Sequence, residues 1–378
     1  MLIIDADAHV IESEATWRHL DKRFHARRPV PVTLPEDTSF GAWNAFWFID
    51  EKMVHFGATP TTGKLARGKA YSIPSQEISE VSARLADLDR QRIERQVLHP
   101  SLGLHTLATD PDLESALMQS YNTFLAEKWA ASDGRLCFAL LAPFRRPEAA
   151  VAEIRRVGRL GGAVSVFLRG IEWDKPVSHP DFYPIYEEAE RQNLAIAVHL
   201  GTGSPSMNRM FDGVPRIPSE DPFFTPRGKR LVTALSVQYA FYALMESSVP
   251  EDFPKLRWAF LEGGGSAWVV PALSALGRGA RRNARRVIDD GRIYFGCEPD
   301  EDFNYIADKI GDGGLVVASD MPHFDESAHE SLAHEYELRT DVRPDLFPKL
   351  FRGNAERLYD FSQIGADRSR APVTAARR

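Results

Sequence analysis

Cysteine is nearly absent: Cys137 and Cys297 are the only two in 378 residues. Both fall in apolar, strand-like runs. The expectation is therefore two reduced core thiols in a cytoplasmic protein, not a disulfide framework. Long apolar runs are missing too. No stretch approaches the roughly 20 residues a membrane-spanning helix needs. The first apolar run is too short, and lacks the basic lead, for a signal peptide. Positive charge is not in excess: 46 Lys and Arg stand against 53 Asp and Glu, a net charge of −7. Neither nucleic-acid nor membrane binding is expected. There is no internal repeat and no low-complexity run.

What is present is a large apolar complement, 43% hydrophobic with 26% charged residues, enough for a sizeable core. Short apolar runs occur at 2–10, 96–100, 136–141, 163–168, 194–200, 256–262, 293–297 and 315–319. Amphipathic stretches lie between them, at 82–92, 112–131, 147–159, 182–192, 229–246, 267–288 and 301–310. Eight strands alternating with helices predict parallel βαβ units. In one chain of this length they predict a (β/α)8 TIM barrel, with a doubly wound sheet as the alternative. One barrel domain is expected over 1–363, with insertions at about 11–80 and 201–226 and a disordered tail at 364–378. Both insertions follow strands, so they belong on the face where barrels build active sites.

The strand ends carry the chemistry. The first run ends in Asp7-Ala8-His9. Strand residues two apart point the same way, so a carboxylate and an imidazole project together. The fifth run ends on His199, the sixth on Glu262, and the eighth leads into Asp320 and His323. One such residue is usually structural. At four strand ends of one barrel face they form a candidate metal site. Asp7, His9, His199 and Asp320 are candidate ligands for Zn, Mn or Fe. Asp320 is also placed to act as base toward a metal-bound water, whose pKa the ion lowers to about 7.

These segments, with AIAVHLG, LEGGGSAW, ASDMPH and the late GNAERLY, resemble the amidohydrolase-related family. The resembling branch holds the metal-dependent aminocarboxymuconate-semialdehyde and resorcylate decarboxylases and their hydrolase relatives. The resemblance implies a (β/α)8 barrel, a divalent metal held by Asp7, His9, His199 and Asp320, and a dimer or larger homo-oligomer. The decarboxylases place a catalytic His on strand 6, where this chain has Glu262. An imidazole suits protonation of carbon near neutral pH, whereas a carboxylate needs a raised pKa. The expectation is therefore a hydrolase, in which a metal-bound hydroxide attacks an amide, ester or thioester carbonyl. Nonoxidative decarboxylation of an aromatic or unsaturated acid is the alternative.

Adding Glu262 and His323 gives six possible ligands, enough for two ions. A carbamylated lysine bridge is not expected, because strand 4 runs into Arg169-Gly170-Ile171-Glu172. Glu262 is expected to be a second-metal ligand or general base, and His323 to assist at the oxyanion. Arg169 and His99 are candidate substrate-binding residues, with a salt bridge or a structural histidine as the plainer alternatives. Arg278, Arg281, Arg282, Arg285 and Arg286 form one helical stripe. It reads as a solvated face or as a docking strip for the phosphates of a coenzyme A thioester. Trp43, Phe46, Trp47 and Phe48 form an aromatic patch suited to a substrate cover or a subunit interface. The expected partner is a small molecule, a carboxylate or a coenzyme A thioester.

Overall fold

Eight apolar runs become eight strands of one parallel sheet in a computed structural model that describes residues 2–38, 40–54, 60–67, 70–210, 213, 229–323, 328–329 and 331–363. The strands are β1 (Ile3–Val10), β2 (Ile93–Pro100), β3 (Leu136–Leu141), β4 (Ala163–Arg169), β5 (Ala195–His199), β6 (Trp258–Leu261), β7 (Ile293–Cys297) and β8 (Leu315–Val317). Each neighbours the next in chain order. The helices used below are α1 (Val81–Arg90), α2 (Pro111–Ala131), α3 (Pro147–Leu160), α4 (Tyr183–Arg191), α5 (Lys229–Met245), α6 (Val269–Ala275), α7 (Arg278–Asp289), α8 (Phe303–Ile310) and α9 (Asn354–Tyr359). This is a (β/α)8 barrel, and its strands bury both faces. Ile4, Ala6, Val97, Val164, Ala195, Ala197, Ala259 and Val316 pack together in one cluster. The alternate residues Ile196, Val198, Trp258 and Phe260 pack in the larger helix-side core.

Two features of the barrel place the site. The first is a bulge in β1. Asp5 pairs with Gln96, yet Ala8 pairs with Leu98, so β1 spends one residue more than β2 over this interval. The extra residue resets the alternation. Asp7 and His9 join the histidines of β2 and β5, whereas Asp5 accepts hydrogen bonds from Gln96 and Ser319. Strict alternation would have grouped Asp5 with Asp7.

The second feature is the seam. Among the described residues β1 and β8 share no ladder of paired strands. The turn after β8 closes the ring instead. Ser319 and Asp320 donate their backbone N–H groups to the Asp7 carbonyl at 3.2 and 3.0 Å, and His9 donates to that of Met321 at 2.6 Å. Side chains reinforce the closure. Asp5 accepts from the Ser319 N–H at 2.9 Å and from its hydroxyl. Arg84 of α1, fully buried, donates to the His9 and Met321 carbonyls at 2.9 and 3.1 Å and to Gln96 at 2.8 Å.

The other end of the ring is plugged by the GNAERLY segment. Ala355, Leu358 and Tyr359 pack in the same cluster as Ile4 and Ala6, and the Tyr359 hydroxyl donates to the Ala6 carbonyl at 2.8 Å.

Some expected boundaries move. The helix predicted over 267–288 is two, α6 and α7, because Leu276 is extended and Gly277 serves as N-cap of the second. The exposed arginine stripe lies on α7 and is partly spent inside the chain. Arg281 donates to the Ser274 and Leu276 carbonyls at the end of α6, Arg285 to the Lys309 carbonyl at the end of α8, and Arg286 to Glu251. The first insertion contains a three-stranded antiparallel sheet, Val30–Thr33, Ala45–Ile49 and Lys52–Val54. It buries Phe46 and Trp47 and exposes Phe48. Most of the second insertion, and the expected tail at 364–378, lie outside the described residues. Cys137 and Cys297 are both buried and unbridged. No described helix is long and apolar enough to cross a membrane.

Candidate metal centre

Asp7, His9, His99, His199 and Asp320 converge, buried, at the C-terminal ends of their strands. His199 Nε2 lies 3.3 Å from Asp7 Oδ2, and His9 Nε2 lies 3.1 Å from Asp320 Oδ1 and 3.7 Å from Asp7 Oδ1. His99 Nδ1 stands 2.8 Å from Asp7 Oδ1. Glu262 sits at the edge, its side chain 12% exposed and its Oε2 3.5 Å from His199 Nε2. Glu262 and Asp320 both adopt left-handed backbone, each with φ of 50°. Non-glycine residues take that conformation at a cost, and such residues concentrate at functional sites.

The residues fit a cation. Asp7, His9 and His199 each offer a ligand atom, and these atoms all lie within 4.8 Å of one another; so do those of His9, Asp320 and His323. His9 Nε2, His199 Nε2 and Asp7 Oδ1 are buried without a hydrogen bond. An unsatisfied buried acceptor is costly, and a metal ion would satisfy all three. The opposite ring nitrogens are already held. His9 Nδ1 is 3.1 Å from the Pro100 carbonyl, and His199 Nδ1 is 2.8 Å from the Leu200 carbonyl. A carbonyl accepts, so each Nδ1 carries the hydrogen and each Nε2 lone pair faces inward, the tautomer that binds metal.

The charges follow from this crowding. Burial alone would raise the Asp7 carboxyl, but His199 and His99 hold it well below its usual range. Burial, aided by His323, pushes the His9 imidazole well below its ordinary value. Burial opposes charge on His199 as well, yet Asp7 and Glu262 push it up to about 9; its Nε2 lone pair becomes available to a cation as that cation displaces the proton.

The sequence-predicted residues divide accordingly. Asp7, His9, His199, Glu262, Asp320 and His323 come together. His99, expected at the substrate, stands against Asp7 instead. Arg169, a candidate substrate-binding residue, is turned to Glu172, the salt bridge set out as the plainer alternative. Its Nε and Nη2 donate to the two Glu172 oxygens at 2.8 Å each, and Nη1 donates to the His105 and Gly103 carbonyls. Both side chains are almost fully buried. Sequence reasoning missed Ser101 and Glu12. The Ser101 hydroxyl lies 2.8 Å from His323 Nε2. Buried Glu12, its carboxyl pushed up to about 7 by burial, accepts from the Ser101 and Leu102 N–H groups. The one available signal was position: Glu12 and Ser101 lie within two residues of the ends of strands that carry candidate site residues.

A parallel barrel with Asp and His side chains gathered at the C-terminal strand ends defines a class of metal-site barrels. Within that class, the amidohydrolase family model (Amidohydro_2) matches residues 4–361, and the chain belongs to this family. A curated relative, the gamma-resorcylate decarboxylase of Rhizobium radiobacter, is 28% identical over 176 residues, 43% of this chain and 52% of that protein. The chain thus matches about half the length of that relative. Among solved structures, an amidohydrolase from Mycobacterium avium subsp. paratuberculosis K-10 superposes with a TM-score of 0.72 at 20% identity, over 98% of this chain and 99% of that one. The 2,6-dihydroxybenzoate decarboxylase from Rhizobium gives 0.58 at 19% identity, over 74% and 88%. At these identities the likeness is one of fold.

Proposed function

We propose that the chain is a metal-dependent hydrolase that directs water onto the carbonyl of a neutral amide, ester or thioester. The observation that carries this reading is the carboxylate count at the site. Asp7, Asp320 and Glu262 all border the histidine cluster. Three ionised carboxylates outweigh the charge of a single divalent ion. A substrate carboxylate brought there meets like charge in a buried setting, whereas a neutral carbonyl does not. Asp7, His9, His199 and Asp320 would hold the ion, with zinc, manganese and iron all suited to this donor set. When bound, the ion supplies Lewis acidity toward a carbonyl and acidifies water. Asp320 takes the proton of the attacking water and returns it to the leaving group. Glu262, the most exposed of the three carboxylates, acts as second general base; its other expected role, ligand to a second ion, would reverse this charge balance and is left to metal analysis. We place the protein in the cytoplasm, as a homo-oligomer acting on a small molecule.

A second reading, nonoxidative decarboxylation of an aromatic acid, is favoured by the curated match to a gamma-resorcylate decarboxylase. The test is a metal-reconstituted protein given neutral esters, amides and thioesters in a pH-stat, and aromatic carboxylic acids with CO2 detection. Acid release from a neutral substrate supports hydrolysis. CO2 release from an aromatic acid, with no acid formed from any neutral substrate, overturns it.

A further inference from the structure

The chain turns sharply after β6. Glu262, Gly264 and Gly265 are all left-handed, with φ of 50°, 85° and 70°. The two glycines take that conformation freely, whereas Glu262 carries a Cβ and takes it at a cost. Such a residue persists only where its surroundings hold it. Here the turn is held at both ends. Gln238 of α5 donates its side-chain amide to the Gly263 carbonyl at 2.8 Å. At the far end stands Glu301, in the loop between β7 and α8. Its Oε1 accepts from the Ser266 and Ala267 N–H groups at 2.7 and 2.6 Å, and its Oε2 from the Ser266 hydroxyl at 2.9 Å. The same Oε2 accepts from the Glu298 N–H of its own loop at 3.0 Å. Four donors thus meet one carboxylate, the stronger kind of acceptor. The fit is close: a Cβ on Gly265 would stand 2.7 Å from Glu301 Oε1. Glu262 comes immediately before this turn, with its Oε2 3.5 Å from His199 Nε2. A change of backbone region at residue 262 would swing its Cβ, and the carboxylate with it, away from the histidines.

We propose that Glu301 is a positioning residue: its carboxylate clamps the turn after β6 and so imposes the left-handed backbone that carries Glu262 to the histidine cluster. The consequence for turnover rests on the reading of Glu262 as a base; the clamp does not.

The test compares alanine with glycine at position 262 in the full chain. Both remove the carboxylate, so the difference between them reports the backbone alone. Where φ is positive alanine is the less stable, and elsewhere it is the more stable. With Glu301 present, urea unfolding should give Glu262→Ala an unfolding constant about 5-fold larger than that of Glu262→Gly. With Glu301→Ala added to both, the gap should close or reverse. Should Glu301→Ala fail to fold, Glu301→Gln, which keeps one acceptor oxygen, takes its place and should narrow the gap. An undiminished gap without the Glu301 carboxylate, or no gap with it, overturns the proposal. A helix cap with no hold on residue 262 would lower stability in all variants and leave the gap alone. On a neutral substrate that wild type hydrolyses, Glu301→Ala should lower kcat about 10-fold or more, with KM within about 2-fold, and should cost nothing further in Glu262→Gln, the behaviour of residues that act as a unit. Losses that add would overturn the route through Glu262. If the stability gap behaves as stated while Glu262→Gln leaves kcat unchanged, the clamp stands and the reading of Glu262 as a base falls.

Discussion

Glu172→Gln should be among the most damaging single changes outside the metal cluster. The Glu172 carboxylate takes two guanidinium bonds from Arg169 at 2.8 Å and its backbone N–H at 2.9 Å. Glutamine keeps the volume but removes the charge and turns a donor toward donors. A buried arginine is then left without its counter-ion, which costs about 3–5 kcal/mol. Unfolding entropy scales at about 2.1 cal/mol/K per residue, so a chain of 378 residues carries about 0.8 kcal/mol/K and Tm should fall by about 4–6 °C. Replacing both partners with methionine should recover most of that loss, because an apolar pair of similar volume leaves no charge stranded. Circular dichroism melts of wild type, Glu172→Gln, Arg169→Met and the double variant are the assay. A Tm shift below about 1 °C for Glu172→Gln would refute the argument. So would an Arg169→Met variant that keeps its Tm but raises KM, which would return Arg169 to the substrate.

Asp7→Asn and His9→Ala should abolish the rise in Tm that Zn2+ gives wild type. Saturation to 100 times Kd is worth about 2.7 kcal/mol, or about 3 °C by the same scaling; equal shifts in variant and wild type would place the ion elsewhere. On a neutral substrate that wild type hydrolyses, Glu262→Gln should lower kcat by about 100-fold or more if Glu262 is the base. Metal analysis decides its other role, since one equivalent of metal in wild type, unchanged in Glu262→Ala, removes it as a ligand. His329 lies 2.7 Å from Glu335 and 3.0 Å from Glu298. Burial opposes its charge, yet these two carboxylates raise its pKa above the ordinary 6.5. Its contribution to stability is then complete below about 6.5 and fades as pH climbs through the raised value. The Tm gap between wild type and His329→Asn should accordingly narrow from pH 6 to pH 9; a gap that widens would reverse the sign.

Much of the barrel is legible in the sequence, because a strand buried on both faces is a short apolar run and little else in this chain looks like one. The candidate site residues are legible for a related reason: His199, Glu262 and Asp320 are polar residues placed where apolar runs stop. The bulge in β1 is not legible. Alternation assigns Asp5, Asp7 and His9 to one face, and only the pairing with β2 shows that Asp5 has left it. Nor are the partners of these residues. Glu12 reaches Ser101 across 89 positions, and Ser101 reaches His323 across 222; no local pattern encodes either. Arg169 misled because a buried arginine at a strand end looks the same in sequence whether its carboxylate belongs to a substrate or to Glu172.

The seam has a consequence for how the protein is made. Asp7 leaves the ribosome more than three hundred residues before Asp320 and His323. Until then the first strand has one lateral neighbour and the site lacks one lip. If the site holds an ion as proposed, a nascent chain stopped short of the turn after β8 should therefore be unable to retain it as the full chain does. Tight metal retention by nascent chains would serve as a marker that synthesis has passed that turn.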